Sequence, residues 1–152
     1  VEHRNVLTLL DAYEHVAPRS GSLVGIALCP FSFDVSIWEM FSCLCFGGTL
    51  HVLEANAAAD PAALVNYIRT HRVTSAYLPP AVLDDFGALV GGLGDARATL
   101  DRLLVGVEPI RNATLATISA AVTGLRIVNG YGPTEATVCS TFLLYCDAVA
   151  TD

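Results

Sequence analysis

The sequence predicts an α/β protein, with a largely parallel β-sheet flanked by helices. Two observations carry this. Short continuous apolar runs, such as residues 23–28 and 73–78, suit strands buried on both faces. Between such runs lie stretches whose apolar residues recur at helical spacing, so strand and helix alternate as in βαβ units.

Val6, Leu7, Leu9, Leu10, Tyr13 and Val16 predict an amphipathic helix over 5–16, broken by Arg19, Ser20 and Gly21. A strand over 23–28 ends at Pro30. Ser36 and Glu39 have capping-box spacing, which predicts a helix from Ser36 with Ile37, Trp38, Phe41 and Leu44 on one side, stopping at Gly47-Gly48. Residues 49–53 form the next predicted strand. Asp60-Pro61 predicts an N-cap and first-turn proline for a helix through His71. A strand over 73–78 ends at Pro79-Pro80, and a helix follows through Leu89, then a loop over 91–95. Strands over 103–107 and 126–129 bracket a helix over 112–122. Residues 130–135 read as a loop and 138–144 as the last strand. In parallel sheets ligands sit beyond the carboxyl ends of strands. This brings Asp34, Tyr77, Gly106 and the loop from Asn129 to one rim.

The 152 residues suit one domain or part of a larger one. Hydrophobic residues make up 53% and charged residues 15%, a high apolar fraction that predicts surface covered by further chain. The net charge of −7 argues against a nucleic-acid-binding face. All 8 basic residues are Arg, so any lysine chemistry must come from outside the chain. No apolar run approaches the roughly 20 residues that cross a bilayer, and no secretory signal opens the sequence. Cys29, Cys43, Cys45, Cys139 and Cys146 lie in apolar stretches, which suits reduced thiols and a cytoplasmic location. The spacer in Cys43-Leu-Cys45 is too short for a usual zinc site. His3, His15, His51 and His71 are scattered, so surface or helix-end roles are expected.

Two stretches carry chemistry. In FSFDVSIWEM (31–40), Asp34 sits among Phe31, Phe33, Ile37 and Trp38, and a buried carboxylate needs a partner. Two roles stay open from the residues alone: capping the following helix, or binding a ligand. In Asn129-Gly-Tyr-Gly-Pro-Thr-Glu135, Gly130 and Gly132 permit close backbone approach, Tyr131 offers a flat face, Thr134 a hydroxyl, and Glu135 a hard oxygen for a cation such as Mg²⁺. That combination suits a nucleotide, although glycine and proline also punctuate ordinary surface turns.

Both stretches, in this order, resemble the amino-acid adenylation domain of nonribosomal peptide synthetases. FDVSIWEM is similar to that family's FDxSxWE motif and NGYGPTEATV to its NxYGPTE motif. Glu2-His-Arg-Asn5, Tyr77-Leu-Pro-Pro80 and Leu103-Leu-Val-Gly106 match in place, so the resemblance covers essentially the whole chain. It implies the central part of the large N-terminal domain of an adenylate-forming enzyme. It also implies an ATP-dependent reaction giving aminoacyl-AMP and pyrophosphate, with the acyl group then loaded onto a carrier's phosphopantetheine thiol. Asp34 would pair with the substrate's α-ammonium, aided by backbone carbonyls near Gly132 and Val138. Val35, Trp38, Tyr77, Leu104, Gly106, Gly130, Val138 and Cys139 would line the side-chain pocket. Tyr131 would stack on adenine, Asn129 would bond its edge, Thr134 would contact the α-phosphate, and Glu135 would hold Mg²⁺. Peptidyl carrier and condensation domains are the implied partners.

The family's phosphate loop with its lysine is expected just before Val1, and its ribose-binding Asp and C-terminal catalytic lysine after Asp152, so the 152-residue piece alone is expected to be inactive. Val107 stands where the family usually has glycine and is expected to crowd the adenine. Residues 142–152 show little of the family pattern. Gly106 and Gly130 are expected to leave room among apolar walls, which suits a large apolar or aromatic amino acid; Tyr77 would either narrow the pocket or offer its hydroxyl. An acyl- or aryl-CoA ligase would leave Asp34 unpaired. A degenerate, inactive segment and a simple nucleotide-binding module are the other readings.

Overall fold

Every predicted element forms in a computed structural model that describes residues 1–54, 59–92, 99–106 and 108–146. In chain order these are α1 (His3–Val16), β1 (Val24–Ala27), α2 (Val35–Leu44), β2 (Thr49–Val52), α3 (Pro61–Thr70), β3 (Ser75–Tyr77), α4 (Pro80–Gly92), β4 (Arg102–Gly106), α5 (Asn112–Ala121), β5 (Arg126–Tyr131) and β6 (Thr141–Leu144). A 3-10 turn covers Thr134–Ala136. None of the described helices is long and apolar enough to cross a membrane.

The strands make one sheet in the order β2-β1-β3-β4-β5-β6, parallel except for the antiparallel pair β5 and β6. Strand pleating divides the core in two, because successive side chains point to opposite faces. Ala76, Leu103, Val105 and Ile127 pack with Leu64 and Ile68 of α3, Leu83 and Phe86 of α4, and Leu115 and Ile118 of α5. Tyr77, Leu104 and Val128 pack on the other side with Leu9, Leu10 and Tyr13 of α1 and Val35 and Trp38 of α2. The chain therefore leaves β1 toward the α2 face and leaves β3 toward the α4 face. Neighbouring strands whose exits diverge in this way open a crevice at their carboxyl ends.

Local chemistry explains where helices begin. Asn5 Oδ1 accepts the Glu2 N–H at 2.8 Å, which starts α1 before its first apolar residue. Asp60 caps α3 as predicted, its carboxylate accepting from the Ala63 N–H at 3.0 Å. The predicted capping box of α2 does not form. The helix starts one residue earlier, at Val35, and its buried face is Val35, Ser36, Trp38, Glu39, Ser42 and Cys43, while Phe41 and Leu44 are exposed. The helix is thus rotated from the face its apolar residues predict, because Glu39 turns inward. The last strand begins at Thr141 rather than 138, since Thr137 and Val138 both adopt positive φ. Gly91 and Gly92 finish α4 instead of opening a loop; residues 93–95 and Val107 lie outside the described residues.

A buried ion pair ties α1 to the sheet. Arg102, at the start of β4, is fully buried; its Nη1 donates to Glu14 and to the Ala17 carbonyl at 3.2 Å. Its guanidinium lies 5.2 Å from the Tyr13 ring centroid. Arg19 also reaches Glu14, at 3.3 Å. Removing one partner of such a pair strands a charge in the core. Glu14→Ala is therefore expected to lose about 3 kcal/mol of stability, read as a lower urea midpoint at unchanged m-value. The double change Glu14→Leu with Arg102→Met should lose less. A single-variant loss below about 1 kcal/mol, the range of surface pairs, would contradict the assignment.

Candidate functional site

The register of the sheet assembles one rim. Tyr77 of β3 pairs with Leu104 of β4, and Leu104 and Gly106 pair with Val128 and Gly130 of β5. By pleat, Tyr77, Leu104, Gly106, Val128 and Gly130 share the α1/α2 face, whereas Asn129 and Tyr131 share the other. The end of β5 thus divides these residues between the two faces of the sheet. Asn129 borders a cavity of about 100 Å³ with Asn112, Leu115 and Leu143, and Tyr131 is 71% exposed, its ring largely uncovered.

Asp34 arrives on this rim through a tight turn in which the Phe33 N–H bonds the Pro30 carbonyl at 2.9 Å. It occupies the N-cap position of α2, yet its side chain makes no capping bond, and its carboxylate has no hydrogen bond or ion pair among the described residues. The capping role left open for Asp34 is therefore not the one it plays. Two thiols face it. Burial, then Glu39, then Asp34 push the Cys29 thiol up to about 12; burial and then Asp34 push Cys139 up to about 11. Burial also raises Tyr77, with Cys29, Glu39, Glu108 and Cys139 adding in that order. These groups therefore cluster around one crevice, and all three neutral acids stay protonated at neutral pH.

Glu39 is a buried neighbour of Asp34 whose role pattern reading missed. Its side chain is buried, and its two carboxylate oxygens accept the Leu28 and Cys29 N–H groups, each at 3.0 Å. These amides lie just past the end of β1, where no strand partner takes them. Burial pushes Glu39 up to about 7, outweighing the two amide bonds that pull it down. Its place four residues after Val35 and one after Trp38 puts it on the same face as they are, but that this face is the buried one is decided outside the helix.

The loop after β5 closes on itself. The Ser140 N–H bonds the Tyr131 carbonyl at 2.9 Å, and the Cys139 N–H bonds the Thr137 carbonyl at 2.7 Å. Val138, at φ 65, is the centre of that γ-turn, and Thr137 beside it has φ 67. Two β-branched residues in the left-handed region cost about 1–3 kcal/mol each, and such strain concentrates at functional sites. The turn buries Val138 against Val35, Trp38, Tyr77 and Leu104. The glycines serve the protein's own backbone. A Cβ on Gly132 would lie 2.5 Å from the Ser140 nitrogen, and one on Gly106 would strike the Gly130 carbonyl. Nor does Gly130 leave the open room expected of it: its Cβ position lies 2.6 Å from Cys139 Sγ, 3.1 Å from Leu104 and 3.6 Å from Phe142. Thr134 and Glu135 are exposed on the 3-10 turn.

Other groups gather away from this rim. His51 and His71 are not scattered: they converge on Tyr67, with the His51 Nδ1 2.9 Å from its hydroxyl and the two imidazoles 5.0 Å apart. No group of three metal-ligating side chains occurs among the described residues. A cavity of about 590 Å³ opens where the strands begin, between Ser20, Ser22, His71, Thr74 and Thr123. It holds none of the sequence-predicted residues and lies opposite the carboxyl ends, so its size does not make it the site.

Comparison with known proteins identifies the family. The family model for "AMP-binding enzyme" matches residues 1–151. The chain belongs to that family. Its relatives within that family include nonribosomal peptide synthetases. It is 34% identical over 144 residues to a plipastatin synthase of Bacillus subtilis (strain 168), covering 93% of this chain and 6% of that protein. It is 35% identical over 143 residues to malpinin synthetase of Mortierella alpina, covering 92% and 2%. In fold it is similar to the crystal structure of the nonribosomal peptide synthetase FmoA3 (S1046A), with a TM-score of 0.87 at 29% identity over 98% of this chain and 16% of that one. An AMPPNP-bound form of that protein is also similar, with a TM-score of 0.83. The chain thus spans a small fraction of the length of its relatives.

Two substitutions test this geometry. Because the folded protein holds the Glu39 proton up to about 7, against an ordinary 4.5, Glu39 favours folding least once ionised. Its contribution is largest below pH 4.5 and falls as pH rises to about 7. Glu39→Gln should remove that slope from the stability profile while losing about 1 kcal/mol for one amide left without an acceptor; an unchanged slope would place the titration elsewhere. Gly132→Ala should cost about 1–3 kcal/mol in chemical unfolding, since the loop has no room for a Cβ.

Proposed function

We propose that the chain forms the amino-acid pocket and part of the ATP site of an adenylation domain. The parent protein would join an α-amino acid carboxylate to the α-phosphorus of ATP, releasing pyrophosphate and giving aminoacyl-AMP for transfer to a carrier's phosphopantetheine thiol. The observation that carries this reading is Asp34: a half-buried carboxylate at the crevice mouth, without a partner among the described residues and next to thiols that stay neutral. A bound α-ammonium supplies the missing charge, whereas an acyl or aryl acid would leave it unpaired.

The other half-site suits the nucleotide. Tyr131 presents an open aromatic face, Asn129 lies on the same side of β5 with hydrogen-bonding groups for a base edge, and Thr134 supplies a hydroxyl for phosphate. Glu135 is an exposed carboxylate of the hard-oxygen type that Mg²⁺ selects. A bound Mg²⁺ would neutralise phosphate charge. The chain's own residues position the two reactants and hold their charges; no protein nucleophile is needed.

The pocket walls are uncharged, which favours an amino acid with an uncharged side chain. A lysine for the phosphates must come from flanking sequence, because the chain has none. The 152-residue piece alone would therefore not turn over. Carrier and condensation domains in a cytoplasmic synthetase belong to the same proposal.

The test is amino-acid-dependent ATP–pyrophosphate exchange on the parent protein across aromatic, aliphatic, polar and charged amino acids. Asp34→Ala should lower kcat/KM at least about thirtyfold, the loss of some 2 kcal/mol expected when a desolvated charge pair loses one partner. Exchange with fatty or aryl acids in place of amino acids would overturn the reading.

A further inference from the structure

Phe142 belongs to none of the stretches that suggested the site, yet it stands beneath it. It lies on β6 directly opposite Gly130 in the antiparallel register. Its ring comes within 3.6 Å of where a Cβ on Gly130 would sit, beside Cys139 and Leu104. The ring is not free to swing away. It meets Tyr13 of α1 edge to face, with centroids 5.5 Å apart, and Tyr13 meets Trp38 the same way at 4.9 Å. Tyr13 is itself fixed: it is almost wholly buried and lies under the Arg102 guanidinium that Glu14 holds. Aromatic pairs of this geometry add about 0.5–1.5 kcal/mol each beyond burial, so the three rings form a stiff series from the pocket wall at Trp38 to its floor at Phe142.

We infer that Phe142 sets the depth of the amino-acid pocket, and that Tyr13 acts as a positioning residue which keeps its ring there. This rests on the adenylation reading and narrows it. The position of Gly130, which looks open from sequence, ends against Phe142, Cys139 and Leu104. The accepted side chain is then of intermediate length and uncharged, and longer ones are excluded by the Phe142 ring. Hydrophobic pockets discriminate by about 10–200-fold per methylene that does not fit, so removing the ring reads out as a change in ranking.

The experiment measures pyrophosphate exchange by the parent protein over an amino-acid series graded in side-chain length. It compares the unsubstituted protein with Phe142→Leu, Phe142→Ala, Tyr13→Leu and Tyr13→Phe. Phe142→Ala should shift the preference toward longer side chains by at least about tenfold in relative kcat/KM, through KM for the amino acid, with KM for ATP unchanged. Phe142→Leu should shift it in the same direction and guards against a misfolded Ala variant. Tyr13→Leu, which frees the ring, should broaden the ranking; Tyr13→Phe, which keeps the edge-to-face contact, should leave it intact. An unchanged ranking in folded Phe142→Leu and Phe142→Ala would overturn the inference while leaving adenylation standing. No exchange by the unsubstituted protein with any amino acid would overturn the adenylation reading, and this inference with it.

Discussion

Glu39 carries its carboxylate from the inward face of α2 to the amides of Leu28 and Cys29, where β1 has just run out of strand partners. Without that acceptor, two part-buried N–H groups at the rim would lose their protein partner, at a cost of up to about 1–3 kcal/mol each. With it, the turn over 30–33 is held between a strand end and a helix start. Asp34 is then placed at the crevice by backbone it does not itself stabilise. Asp34 has no partner among the described residues, whereas Glu39 takes the structural role.

The second constraint is the pleat of β5. One strand end presents Gly130 to the α1/α2 face and Asn129 and Tyr131 to the other, so two chemically different surfaces meet along a single strand. The loop that follows keeps them together by strain. Thr137 and Val138 sit at positive φ because the loop must return within a few residues to pair β6 with β5. Gly132 is where the outgoing and returning backbones touch. The cost of two strained residues is offset by burying Val138 with Trp38, Tyr77 and Leu104.

Behind the site, the pair of Arg102 and Glu14 and the ring series through Tyr13 join α1, the sheet and β6 into one body. Buried ion pairs of this kind contribute little net stability compared with an apolar core, but they tolerate few alternative arrangements. That suits the pocket floor proposed for Phe142.

The sequence by itself determined the fold class, the order of every element and the two motif stretches. Alternating periods of apolar residues are a local signal, and so is the Asp60-Pro61 cap of α3. The same local reading failed at α2: its apolar residues pointed to Phe41 and Leu44 as buried, and Ser36 with Glu39 looked like a cap. Only the tertiary structure decided that Glu39 goes inward, because the amides it serves belong to a strand that precedes it in sequence and to no pattern within the helix. It likewise brought His51 beside His71 and filled the space at Gly130 with Cys139, Leu104 and Phe142. A glycine's lack of a side chain is written in the sequence, but what occupies the space it leaves depends on which strand lies opposite. That is set by register across the sheet, a long-range property that no window of sequence contains.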